Sequence, residues 1–154
     1  YSLKNKNIIV TGAARGLGKQ YGELGKKAIR NYKKALKIEV CNLGIENSET
    51  GDTFFAVANL FLDNKEYKKA LIIFKSFLSN PDSGGFPFKI ATCYKKLSKP
   101  KKAIENYCLS AEIRNKSLGI EDQATKNAIN EAIQLAKETN SIMLLPDWIK
   151  KIAN

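Results

Sequence analysis

One four-residue block occurs three times in this chain. Lys26-Lys27-Ala28-Ile29 returns as Lys68-Lys69-Ala70-Leu71 and again as Lys101-Lys102-Ala103-Ile104, with the alanines 42 and then 33 residues apart. The match extends well beyond the block. Residues 26–50 and 101–125 share 12 of 25 aligned positions, including Leu-Gly-Ile-Glu at 43–46 and 118–121. A sequence that repeats at this period is a stack of similar units, each of which buries its apolar side only against a neighbour. With 154 residues there is room for about three units in one domain.

Each unit reads as two helices. Phe54, Val57, Ala58, Phe61 and Leu62 fall on one stripe at helical spacing. Thr50 or Asp52 is expected to cap the start of this helix, and Asp63-Asn64-Lys65 breaks it. Tyr67, Ala70, Leu71, Phe74 and Leu78 give a second stripe, closed by Asn80-Pro81 and the turn-forming Asp82-Ser83-Gly84-Gly85. Further helices are expected near 86–97, 100–116 and 125–139. Pro100 suits a first helical turn, where its missing N–H has no partner to lose. Ile142-Met143-Leu144-Leu145, Pro146 and a short helix at Trp148-Ile149 are expected to cover the last open face, with Trp148 packing there.

At these residues the sequence resembles the tetratricopeptide repeat (TPR) family. The positions that carry the resemblance are Phe54, Val57, Ala58, Phe61, Ala70, Phe74 and Phe77 in the middle unit, and Ile90, Ala91, Tyr94, Ala103 and Tyr107 in the next. The extended second helix, then Leu-Gly, five residues and Thr (43–50 and 118–125), is similar to the 42-residue variety of kinesin light chains. The family glycine after the first helix is missing, and Lys65 and Ser98 lie near its place. The resemblance implies an all-α fold, a right-handed α-solenoid of about three TPR helix pairs with a C-terminal capping helix. The expected organisation is an N-terminal arm and first helix at 1–24, repeats at 25–140 and a cap at 141–154.

The first residues carry a different signal. The apolar run Ile8-Ile9-Val10 leads into Thr11-Gly12-x-x-x-Gly16-x-Gly18 and then a helix start. This resembles the opening of a short-chain dehydrogenase, where glycines admit a dinucleotide pyrophosphate at a helix N-terminus. The resemblance would place Gly12, Arg15, Gly16, Leu17 and Gly18 on an NAD(P) cofactor. The remainder of such an enzyme is not found. Residues 29–40 read as helix, no tyrosine is followed by lysine four positions on, and over 100 residues are given to helical pairs, which leaves no room for a parallel sheet. Leu17, Gly18, Tyr21, Leu24 and Gly25 also fit the first helix of a TPR unit. The expectation is therefore a non-enzymatic chain with no cofactor. A dehydrogenase, or a remnant of one joined to a repeat protein, is the rival reading. Residues 1–11 are expected to form an extended arm that packs on a neighbouring chain.

In the TPR family the first helices line a concave groove. The register puts Asp52, Phe55, Asn59, Leu62 and Asp63 on that face in the middle unit. In the next unit it puts Gly85, Phe88, Thr92, Lys95 and Lys96 there, with Lys89 beside them, and in the first Arg15 and Lys19. A groove with Phe55, Phe88 and several cations suits a peptide with apolar anchors and acidic residues. The expected function is that of a protein-interaction scaffold. The family's chaperone-tail clamp is disfavoured. Asn59 and Lys89 stand near clamp positions, but Phe55, Ala56 and Gly85 occupy places that require polar or charged groups.

Composition narrows the function classes. The chain has 26 Lys+Arg against 15 Asp+Glu, a net charge of +11, and no histidine. Without histidine, Ser-His-Asp and Cys-His mechanisms and imidazole-ligated metals are excluded. Only 3 of the 26 cations are arginine, the residue that forks onto bases and phosphates. A basic nucleic-acid-associated solenoid is thus a second alternative, argued from charge alone. The recurring lysine pairs open each second helix, on the outer face. Cys41, Cys93 and Cys108 form no motif and are expected to be small buried apolar residues. No metal site is expected. No apolar run reaches the ~18 residues of a spanning helix, no signal peptide is evident, and the expected location is the cytoplasm.

Overall fold

The computed structural model describes residues 48–76 and 85–153, together with Lys27, Arg30, Asn31, Lys34, Ile38 and Cys41. The glycine-rich segment, Arg15, Lys19, Leu78, Phe77 and the expected arm at 1–11 lie outside the described residues. Six helices are described in full: α1 (Ser48–Asp63), α2 (Tyr67–Ser76), α3 (Gly85–Lys96), α4 (Pro100–Leu118), α5 (Gln123–Glu138) and α6 (Asp147–Ala153). A 3₁₀ turn at Ile142–Leu144 joins α5 to α6. No strand occurs among the described residues. The chain divides into two units between Ile73 and Phe74.

In the first unit, Lys27, Arg30, Asn31, Lys34, Ile38 and Cys41 are helical and exposed. Cys41 therefore departs from the expected burial: its helix turns that position to solvent. Helix α1 begins at Ser48, so Thr50 and Asp52 lie inside the helix rather than at its cap. Gly51 sits in the first turn, where its poor helix propensity is tolerated, so the helix starts before the expected caps. Val57, Ala58, Leu60, Phe61 and Ala70 are buried. Ala58 and Ala70 are both fully buried.

In the second unit α4 packs against both α3 and α5. The expected core positions Ile90, Ala91, Tyr94, Ala103 and Tyr107 are all buried, as is Phe74, which meets Phe86 edge-on at 6.3 Å. Pro100 occupies the first turn of α4. Gly119 ends that helix at φ 86°, a left-handed value that strains any residue with a Cβ. Asp122 caps α5, its carboxylate accepting from the N–H groups of Ala124 (2.8 Å) and Thr125 (3.2 Å).

The repeat is visible in the turns as well as the helices. Lys65, Ser98 and Asn140 all have left-handed backbones, φ 62°, 55° and 50°. Each lies just past a helix, and Lys65 and Ser98 stand near the place of the family glycine that the sequence lacks. Each is followed by an N–H that reaches back to the helix: Glu66 to Phe61 O (2.8 Å), Lys99 to Tyr94 O (2.9 Å) and Ser141 to Ala136 O (2.8 Å). This is the Schellman closure, which satisfies carbonyls that a helix end leaves open. The three positions are 33 and 42 residues apart, the same two intervals as the alanines.

The order of those intervals makes α1 and α5 counterparts. Both are 16 residues long, and Ser48 and Gln123 stand at equivalent places in the duplicated segment. Helix α5 is thus the first helix of a further pair whose second helix is abbreviated. Leu145 and Ile149, both buried, stand 42 residues after Ala103 and Tyr107. The 3₁₀ turn and α6 therefore place two apolar side chains where a full second helix would have placed them. Trp148 is half-buried in this cap, while Ile142, Met143 and Ile152 are exposed.

Candidate functional site

The expected groove residues divide between the two units. In the first, Phe55, Asn59 and Leu62 are half-buried on α1. The Asn59 amide donates to Phe55 O at 2.9 Å, so part of its hydrogen-bonding capacity is used within its own helix.

In the second unit Phe88, Thr92 and Lys95 are brought together with residues that the repeat register alone did not single out. The Phe88 ring meets Tyr107 edge-on, centroids 5.2 Å apart, and the Arg114 guanidinium stands 5.0 Å from the Phe88 centroid. Arg114 Nη1 also donates to Ala124 O at 2.8 Å. One side chain of α4 thus touches both α3 and α5. Thr92 Oγ1 donates to Phe88 O at 2.9 Å and lies 3.4 Å from the Tyr107 hydroxyl. Lys95 Nζ donates to Glu131 Oε2 at 3.0 Å, joining α3 to α5. Lys89 is half-buried and Lys96 exposed, and neither has an ion-pair partner among the described residues.

The electrostatics favour a fixed surface over a reactive one. Burial pushes the Tyr107 hydroxyl up to about 12, its hydrogen bond with Thr92 acts against this, and the Glu131 charge adds to it. Tyr107 is therefore a neutral phenol at any physiological pH. Burial raises the Cys93 thiol to about 11, opposed by the Lys89 charge, and burial alone raises Cys108 to about 11. Neither thiol is a nucleophile at neutral pH. Burial lowers the affinity of Arg114 for its proton, and the Asp122 charge restores part of it. Lys95 is held in an ion pair with Glu131.

Tyr107, Arg114 and Glu131 were not on the expected face. Tyr107 was read only as core, and Arg114 and Glu131 not at all. The duplication carried a further signal that was left unused. Carried onto α5, it aligns Asn127, Asn130 and Gln134 with Asp52, Phe55 and Asn59. All three are exposed amides, and Asn127 accepts from Gln123 Nε2 at 2.8 Å.

No protein-family model matches the sequence, and no curated protein sequence does either. Solved structures do. One of nearly identical TPR-like repeats of the kinesin light chain type, from Podosopora anserina, matches with a TM-score of 0.75 and 12% identity, over 93% of this chain and 71% of that one. A second structure of such repeats, from the same organism, matches with a TM-score of 0.73 and 11% identity, over 92% and 68%. At this identity the likeness establishes the fold. The chain is an all-α solenoid of TPR-like helix pairs with a helical C-terminal cap. No described helix is long and apolar enough to cross a membrane.

Proposed function

We propose that this chain is a non-catalytic interaction module that holds a peptide of a partner protein against the first helix of a pair. In the second unit the holding face is Phe88, Lys89, Thr92 and Lys96 of α3. The first unit has its own candidate face, Phe55, Asn59 and Leu62 of α1. The observation that carries the reading is the set of cross-helix contacts behind α3. Arg114 spans from the Phe88 ring to Ala124, and Lys95 reaches Glu131, so α3, α4 and α5 are tied at the side chains themselves. A face held in this way loses little freedom when a ligand docks, which lowers the entropic cost of binding.

The preferred ligand is acidic with apolar anchors. Lys89, Lys95, Lys96 and Arg114 bring four positive charges to the face, and Glu131 offsets one. The half-exposed Phe88 edge offers apolar contact. Panning a random-peptide library on the purified chain tests this. Recovered peptides should be rich in Asp, Glu and apolar residues, and Lys89→Glu or Thr92→Arg should abolish their binding. Recovery of peptides with no such bias would overturn the ligand assignment.

A further inference from the structure

Residues 95–102 read Lys-Lys-Leu-Ser-Lys-Pro-Lys-Lys, five cations in eight residues with no acid. They form the turn from α3 into α4. Lys99, Lys101 and Lys102 are exposed. Lys75, exposed in the last turn of α2, joins them: Lys75 Nζ and Lys102 Nζ stand 5.5 and 5.8 Å from the centroid of the same Tyr94 ring. None of these four lysines has an ion-pair partner among the described residues.

The lysine pair Lys101-Lys102 recurs with the repeat, but the lack of acid around it is particular to this turn among the described ones. Its counterpart between α1 and α2 carries Asp63 and Glu66 among Lys65, Lys68 and Lys69, and there Glu66 pairs with Lys69. The turn after α5 has Glu138 next to Lys137. The α3–α4 turn is also electrostatically costly. Helix α4 has no acidic residue in its first turn and no side-chain cap from Lys99. Three lysines at a helix N-terminus oppose the helix dipole, and they repel one another. An anionic partner relieves both costs.

We infer that the α3–α4 turn, with Lys75, Lys99, Lys101 and Lys102, is a second docking surface, and that its partner is an acidic stretch of a protein. Several features select among polyanions. The patch holds no arginine to fork onto phosphate, and its only ring, Tyr94, is buried, so no base can stack there. Leu97, the only large apolar residue of the turn, is half-buried, so the turn itself presents no exposed apolar side chain to a lipid surface. Flexible ammonium groups on an exposed turn suit carboxylates presented along an extended chain. Lys95 and Lys96 stand where this turn adjoins the α3 face that carries the proposed groove, whereas Lys75, Lys99, Lys101 and Lys102 are not part of that face.

Fluorescence anisotropy of a labelled oligo-glutamate peptide titrated with the whole chain tests the inference. Saturable binding that weakens with added salt is expected. The triple variant Lys99→Gln, Lys101→Gln, Lys102→Gln should bind about tenfold more weakly. Lys89→Glu, in the groove, should weaken binding less than the triple variant does, and Lys137→Gln elsewhere should leave it unchanged. Because the three replaced side chains are exposed, circular dichroism of the triple variant should match the parent. Absence of binding would overturn the inference, as would a triple variant that binds like the parent or a loss on Lys89→Glu equal to that of the triple variant. Tighter binding to duplex DNA or to phosphatidylserine vesicles than to oligo-glutamate would overturn the choice of partner.

Discussion

Lys95 and Glu131, on α3 and α5, meet at 3.0 Å, while Lys89 and Lys96 have no ion-pair partner among the described residues. The two paired side chains are about one-third exposed, 32% and 36%. A pair of this kind contributes about 0.5 kcal/mol to stability. A double-mutant cycle of Lys95→Met and Glu131→Gln, read by urea denaturation, should return a coupling below about 1 kcal/mol. The effect on binding should be the larger one. Glu131→Gln frees the Lys95 ammonium and removes the one acid of the cluster, so acidic groove peptides should bind several-fold more tightly to that variant. Weaker binding would place Glu131 among the groups that hold the ligand.

Thr125 is fully buried in α5, and its hydroxyl has no hydrogen-bond partner among the described residues. An unsatisfied buried hydroxyl costs about 1–3 kcal/mol. Thr125→Val keeps the shape and removes the polar atom. The midpoint of urea denaturation should rise, by the equivalent of about 1 kcal/mol. A fall would show that the hydroxyl is satisfied in solution.

Ser98 adopts φ 55° without a side-chain hydrogen bond that would reward it. A left-handed backbone costs a residue with a Cβ about 1 kcal/mol relative to glycine. Ser98→Gly should therefore stabilise the chain and Ser98→Val should destabilise it, as read by thermal melting. The same exchange at Asn140 should gain less, because asparagine tolerates this region.

Alkaline pH should unfold the second unit. Tyr107 titrates near 12 when folded against an ordinary value of 10, and Cys93 and Cys108 near 11 against 9. All three are raised, so the folded state holds their protons more tightly. Their contribution is complete below pH 9 and is lost as pH rises from 9 to about 12. Denaturant midpoints should be level between pH 7 and 8.5 and fall above 9. The thiols give an independent check. At pH 8 the exposed Cys41 should react with a disulfide reagent at once, while Cys93 and Cys108 should react only on unfolding.

Much of this fold was legible because helical periodicity reports burial directly. The stripe Ile90, Ala91, Tyr94 lies in the core where spacing put it, and the helices expected near 86–97 and 100–116 run Gly85–Lys96 and Pro100–Leu118. The likeness to solved TPR-like repeats bears out the fold class. What spacing cannot supply is the partner of a side chain. Lys95 and Glu131 are 36 positions apart, and their meeting depends on how α3 and α5 lie against α4. The same holds for Arg114 over Phe88. The missing family glycine misled less than it threatened to: Lys65, Ser98 and Asn140 take up its backbone geometry, because the Schellman bonds outweigh the strain of a Cβ there. Carried past residue 125, the duplication aligns Leu145 and Ile149 with Ala70 and Phe74, and so singles out the two buried side chains of the expected cap.

The central claim is that the α3 face holds acidic, apolar-anchored peptides. Its most direct measurement is calorimetric titration of one library-selected peptide into the parent chain and into Thr92→Arg. Thr92 lies mid-face between Phe88 and Lys95, so an arginine there fills the space a peptide would take. The account predicts saturable one-to-one binding to the parent and none to the variant, with unchanged helical circular dichroism. Equal binding to both would contradict it.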